Sequence, residues 1–315
     1  MRRHTTICIT IGDKMRTFIK YSLITLTLIS CVALLGLYPY RAALLPDTNP
    51  AQPLKQRLAE HLTLFTPESG SGPFPTVLAF HGCGGQRDSM LENLNSWLLP
   101  AGFAVLYVDS FAARGIEDWQ PVCDGKQLWG NERAQDVYAA LELAAAMPEI
   151  DPQRIAVMGF SHGGWAVLDA LAYAGAPGHG FNQSGQQALT RIKAAVTYYP
   201  YCGYPAQMRL HSQAPASIPL LMLLGARDSV TDHQQCLDSL DEPGLATIEL
   251  VQYQDADHVF DQPSPMNTYQ PAVAADAHAK TLAFLRDNLG KTMDQRSGAH
   301  PAKESRSHPS RSWRL

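Results

Sequence analysis

Ser161 stands in the run Val157-Met158-Gly159-Phe160-Ser161-His162-Gly163-Gly164, with a glycine two positions to either side. A serine hydroxyl is a poor nucleophile at neutral pH and needs a general base, usually a histidine steered by a carboxylate. The spacing G-x-S-x-G suits such a nucleophile for a mechanical reason. A serine on a very sharp strand-to-helix turn tolerates only small neighbours two residues away. The apolar run from Arg154 to Phe160 predicts the strand, and a helix is expected from about Gly163. The turn lifts the hydroxyl above the sheet edge. It also leaves the backbone N–H of His162 free to face a developing oxyanion near the helix N-terminus.

The body of the chain offers histidines 61, 81, 162, 179, 211, 233, 258 and 278 as bases. Only His258 follows a predicted strand (Ala246 to Tyr253), lies in a turn of small and acidic residues, and comes after a suitable acid. That acid is Asp228, just beyond the apolar strand Pro219 to Leu224. Asp232 is its rival four residues on, and Asp255 and Asp257 read as turn residues. The order Ser161, Asp228, His258 is the one a nucleophile elbow on an α/β sheet requires. The chemistry implied is acyl transfer to water: attack by Ser161, proton removal by His258, and orientation by Asp228. The backbone N–H groups of His162 and Cys83 are the candidate oxyanion hole. Cys83 lies in the glycine-rich turn His81-Gly82-Cys83-Gly84-Gly85-Gln86 that follows the strand Thr76 to Phe80.

The remaining pattern supplies elements that position these groups. Further strands are expected at Phe103–Val108 and Ile192–Tyr199, and helices at Leu91–Leu99, Glu132–Met147, Gly164–Tyr173 and Val273–Leu289. Strands alternating with helices predict an α/β fold, a mostly parallel sheet covered on both faces. Residues 61–290 form one domain, preceded by a basic region 1–45 and a linker 46–60, and followed by a basic tail 291–315 expected to be disordered. Two polar excursions interrupt the pattern, 111–130 and 174–190, the second read as a lid or surface insertion. The aromatics Trp119, Trp129, Tyr199 and Tyr201 are candidate pocket residues. Trp165 reads rather as helix-to-sheet packing, and Arg114 and Arg227 as solvated or salt-bridged groups.

Charge and cysteines narrow the class. The formal charge is −4; residues 1–45 carry +5 and 291–315 carry +4, which leaves −13 for 46–290. An acidic body excludes nucleic acid as a partner. Neither glycine cluster has the arrangement of a nucleotide-binding loop. No cofactor is expected, and none of the cysteines has a metal-site spacing. Tyr21 to Tyr40 is a 20-residue run without charge, flanked by Lys14, Arg16 and Lys20 before it and Arg41 after it. It reads as a signal anchor, a cleaved signal peptide or, through Leu28-Ile29-Ser30-Cys31, a lipoprotein leader. All three export the body to the periplasmic or cell-envelope side, and an uncleaved segment anchors it in the inner membrane. Disulfides persist there. The four body cysteines allow three pairings. Cys83–Cys123 would pin the excursion beside the site and Cys202–Cys236 would tie two loops; four reduced, buried thiols are the alternative.

Four motifs in this order and spacing, VLAFHGCGG, GFSHGG, GARDSVTD and DADHVF, resemble the dienelactone hydrolase family of the α/β-hydrolases. The resemblance spans residues 60–290. It implies an α/β-hydrolase fold, Ser161, Asp228 and His258 as triad, and the Cys83 and His162 amides as oxyanion hole. The family's namesakes carry cysteine where Ser161 stands, which favours a general serine esterase over a lactonase. HGCGGQ is also similar to the oxyanion loop of secreted esterases acting on polyhydroxybutyrate or feruloyl esters. The expected substrate is a small-molecule or polymer ester. A serine peptidase of short peptides and a noncatalytic, membrane-tethered binding module are the alternatives. Oligomeric state carries no sequence signal.

Overall fold

The computed structural model describes residues 3–38, 52–175, 188–210, 218–240 and 248–290. The tail, most of the 174–190 excursion, His179 and His211 lie outside these residues. Seven strands form one sheet: β1 (Leu62–Phe65), β2 (Phe74–Phe80), β3 (Ala104–Val108), β4 (Ile150–Phe160), β5 (Ile192–Tyr198), β6 (Leu220–Gly225) and β7 (Ile248–Tyr253). Their spatial order is β1-β3-β2-β4-β5-β6-β7. Only β1 runs antiparallel to its neighbour, at one edge; every other pairing is parallel.

The central strands are mostly apolar because both faces are covered. Val77, Ala79, Val105, Tyr107, Met158 and Leu223 pack on one side against helices Asp88–Leu98 and Pro271–Leu289. Leu78, Phe80, Leu106, Val157, Met222 and Leu224 pack on the other, against helices Gly130–Ala144 and His162–Gly175. Alternation with period two thus fills two separate cores.

The segment 46–60 is not all linker: Gln52–Ala59 is a helix. Leu54 and Leu58, one turn apart, are buried, and Leu58 joins the core beside Val137 and Leu141. β4 begins at Ile150, earlier than the expected Arg154, and takes in Asp151-Pro152 at a register shift against β2 that accommodates the proline's missing donor.

The N-terminal segment forms a helix, Arg3–Leu37. Its stretch Met15–Leu37 spans 23 residues at a mean hydropathy of 2.0, and none of it is buried against the body. That is long and apolar enough to cross a membrane, and a signal sequence has the same properties. Its position and composition support export of the body.

Candidate active site

The carboxyl ends of β2, β4, β6 and β7 converge on one edge of the sheet. This is where α/β sheets place ligands, outside the strand ends at a point where the strand order reverses. β4 runs straight into helix His162–Gly175, and Ser161 sits between them at a φ of 51°. A side chain at Gly159 would strike the backbone of Gly163, and one at Gly163 would strike the carbonyls of Phe80 and His81. The glycine pair therefore serves two contacts, the tight turn itself and its seating against the end of β2.

Ser161 Oγ lies 2.9 Å from Nε2 of His258. The Nδ1 of His258 lies 2.7 Å from Oδ2 of Asp228. A carboxylate can only accept, so Nδ1 carries the proton and Nε2 is left as the acceptor facing the serine hydroxyl. Asp228 is itself fixed. Its Oδ1 accepts from the backbone N–H of Val230 and Thr231 at 2.9 and 2.7 Å, and its Oδ2 from the Thr231 hydroxyl at 2.9 Å. Asp232, the rival acid, accepts from the Gln234 N–H at the start of helix His233–Leu240. It is occupied as a helix cap.

The neighbouring acids hold the loops together. Asp257 accepts from the N–H and hydroxyl of Ser229 and from the His258 N–H. Its slight burial opposes ionisation, but these hydrogen bonds dominate and hold the carboxyl below its ordinary value. Asp255 pairs with the exposed Arg227 at 2.6 Å. Arg114 pairs with the fully buried Asp136. Neither arginine is free for an anionic substrate.

His162 is the first residue of its helix, so its N–H has no intrahelical partner. Its imidazole is locked. Nε2 donates to the Leu128 carbonyl at 2.7 Å, and Nδ1 accepts from Arg133 at 3.0 Å. Burial, reinforced by the Arg133 charge, lowers its pKa to about 3. His81 is likewise buried and bonded to the Gly82 carbonyl, and burial followed by Arg133 drives its pKa well down. Both rings are neutral and turned away from general-base duty.

A cavity of about 300 Å³ opens beside Ser161. Trp129, Trp165, Tyr201, Tyr204 and the disulfide Cys83–Cys123 form much of its wall. Two candidate pocket residues are elsewhere. Trp119 is 41% exposed and lies at the start of the turn Gln120–Cys123, outside the lining. Tyr199 is 1% exposed. At a φ of 38° its side chain turns under the site, its ring 4.6 Å from that of His258 and its hydroxyl donating to Asp261 at 2.6 Å. A residue at a strand end can face either way, and the sequence pattern does not say which. Trp165 packs against Tyr201 at 4.8 Å but also lines the cavity, so packing and lining coincide.

Asp261 gives a pH-dependent prediction. Burial raises its pKa from the ordinary 3.8 to about 6. Between those values the folded state binds more protons than the unfolded, so this carboxyl makes stability fall as pH rises from about 4 to 6. Asp261→Asn keeps an acceptor for Tyr199 and removes the titration. Thermal unfolding of the variant should exceed that of the parent by a margin worth about 3 kcal/mol above pH 6, and by almost nothing below pH 4. An equal margin at both pH values would contradict the assignment.

The second disulfide, Cys202–Cys236, joins the loop after β5 to helix His233–Leu240. It closes a separation of 34 residues, for which chain entropy implies about 4 kcal/mol. Replacing both of these cysteines with serine should lower the unfolding free energy by about 2–4 kcal/mol with kcat retained. Replacing Cys83 and Cys123 should lower both, because that bridge anchors the loop beside Ser161.

The sequence profile of the dienelactone hydrolase family matches residues 62–289. The chain belongs to the dienelactone hydrolase family. The match covers all seven strands and all three residues Ser161, Asp228 and His258, and it carries homology to carboxylic ester hydrolases. Two solved structures share the fold. The structure m3DLH superposes with a TM-score of 0.57 at 21% identity, covering 72% of this chain and 92% of that one. The dienelactone hydrolase-like promiscuous phosphotriesterase P91, from metagenomic libraries, gives 0.53 at 18% identity, covering 73% and 92%. Among curated proteins, dipeptidyl aminopeptidase BIII of Pseudoxanthomonas mexicana is 32% identical over 103 residues. The aligned segment is 32% of this chain and 15% of that protein.

Proposed function

We propose that this family member is a serine hydrolase that cleaves uncharged carboxylic esters through an acyl-serine intermediate. The observation that carries the reading is the hydrogen-bonded line from Ser161 through His258 to Asp228, at 2.9 and 2.7 Å, beside an open cavity. His258 Nε2 takes the hydroxyl proton as Ser161 Oγ attacks the acyl carbonyl. Asp228 holds the tautomer and stabilises the imidazolium. The amides of Cys83 and His162 receive the oxyanion, and each such donor contributes about 3 kcal/mol to the transition state. The leaving alcohol departs with the proton from His258. Water then repeats the sequence on the acyl-serine.

The cavity supports the restriction to uncharged groups. Among the described residues its one charged lining side chain is Asp124. Among the described residues no cation lines the wall that a substrate carboxylate would meet, and leaving that charge unpaired there is costly. With purified protein, p-nitrophenyl acetate and butyrate should be cleaved with kcat/KM at least about tenfold above the p-nitrophenyl monoester of succinic acid, a gap of about 1.4 kcal/mol. Preference for the anionic ester would overturn the substrate class.

One observation favours a peptidase instead, the local identity to dipeptidyl aminopeptidase BIII. Dipeptide p-nitroanilides run beside the esters separate the two. We further infer that the N-terminal helix exports the body to the periplasmic side and holds it at the inner membrane. Release of a shortened protein into the soluble fraction would contradict anchoring.

A further inference from the structure

Arg133 is a fully buried arginine one turn into helix Gly130–Ala144, and no step of the reaction above uses it. Its contacts lie on the two segments that flank the reacting serine. Nη1 donates to the His81 carbonyl at 2.7 Å and to His162 Nδ1 at 3.0 Å. Nε donates to the Ser110 hydroxyl at 2.9 Å. His81 lies two residues before Cys83, at the mouth of the loop after β2. His162 follows Ser161. One guanidinium nitrogen therefore joins the loop that carries one proposed oxyanion donor to the residue that carries the other.

The other side of each contact is also fixed. His162 Nε2 is held by the Leu128 carbonyl, so its ring cannot turn away from Arg133. Gly163 seats against the carbonyls of Phe80 and His81, leaving no slack between the elbow and the end of β2. The guanidinium rests 5.7 Å over the Phe111 ring. Burial lowers its pKa to about 10, with Asp136 opposing, so it stays charged at neutral pH. Among the described residues no carboxylate forms a direct ion pair with it. A buried cation is costly, and here Nε and Nη1 are directed by hydrogen bonds while Nη2 has no hydrogen-bond partner among the described residues; an arginine supplies two directed nitrogens where a lysine supplies a point charge.

We propose that Arg133 is the positioning residue of the oxyanion hole, clamping the His81–Cys83 loop to His162 so that the two backbone N–H groups face one point. Its buried positive charge also lies beside both segments that carry these donors, where it favours developing negative charge. The proposal rests on the acyl-serine reading above and adds to it a residue that touches neither substrate nor nucleophile.

The test uses the full chain with Arg133→Met and Arg133→Lys. Four quantities are read: kcat and KM on p-nitrophenyl butyrate, affinity for an alkyl boronic acid that mimics the tetrahedral state, thermal unfolding, and phosphonate labelling of Ser161. Losing an oxyanion donor lowers kcat by about 10²- to 10³-fold. Folded Arg133→Met should lose about a hundredfold in kcat with KM changed less than about threefold, and boronate affinity should fall in parallel. Arg133→Lys restores the charge without the fork and should recover about a tenth of the parent kcat. Parent-like kcat in either folded variant overturns the proposal. So does a loss confined to KM, since that marks lost ground-state binding and not lost transition-state stabilisation. If Arg133→Met does not fold, Arg133→Lys decides. A wild-type protein whose Ser161 takes no phosphonate sinks the acyl-serine reading itself, an outcome distinct from any difference among the Arg133 variants.

Discussion

Ser161→Ala is expected to lower kcat by about 10⁴- to 10⁶-fold, the cost seen when a triad nucleophile acting as a unit with its base is removed. The fold should survive. Ser161 already occupies a left-handed φ of 51° without glycine, so alanine at the same backbone angles adds no new strain. Its own N–H bonds to the Tyr198 carbonyl and its carbonyl accepts from the Trp165 N–H, and both contacts are independent of the side chain. Unfolding temperature should therefore stay within a few degrees while ester cleavage falls to the level that the oxyanion hole and binding alone sustain. Activity within tenfold of the parent would remove Ser161 from the reaction.

Asp228→Asn should cost about 10⁴-fold in kcat with nearly unchanged shape. The asparagine oxygen can still accept from the N–H groups of Val230 and Thr231. Its NH₂ then faces His258 Nδ1, where Asp228 Oδ2 now accepts at 2.7 Å. The ring responds by moving its proton to Nε2, and the nitrogen that should take the serine proton becomes a donor. Asp232→Asn is the matched control. That side chain caps a helix through the Gln234 N–H, and an asparagine caps as well. Its kcat should stay within about twofold of the parent. Equal losses in the two variants would mean that loop disruption, not tautomer control, is being measured.

Some of this site is readable in the sequence because it obeys local rules. Gly159 and Gly163 flank a serine between an apolar run and a helix, and Asp228 and His258 each follow a strand. Parallel strands must bring such ends to one edge, so the juxtaposition follows from topology. Tyr199 and Trp119 show where local rules stop. Whether Tyr199 faces the cavity or turns beneath His258 is decided by one backbone angle and by the buried Asp261, 62 residues away. Arg133 was not legible at all. An arginine at the start of a helix reads as a solvated residue, and only the convergence of His81, Ser110 and His162 around it makes a buried cation tolerable. The helix Gln52–Ala59 escaped for a related reason: its proline and polar residues outweigh two leucines until the surface that buries them is known.

The most direct test of the central claim is stoichiometric reaction of the folded protein with a fluorophosphonate, followed by peptide mapping. The account predicts one adduct per chain, on Ser161, formed far more slowly in His258→Ala and absent in Ser161→Ala. An adduct on another residue, or a folded protein that reacts with none, would contradict it.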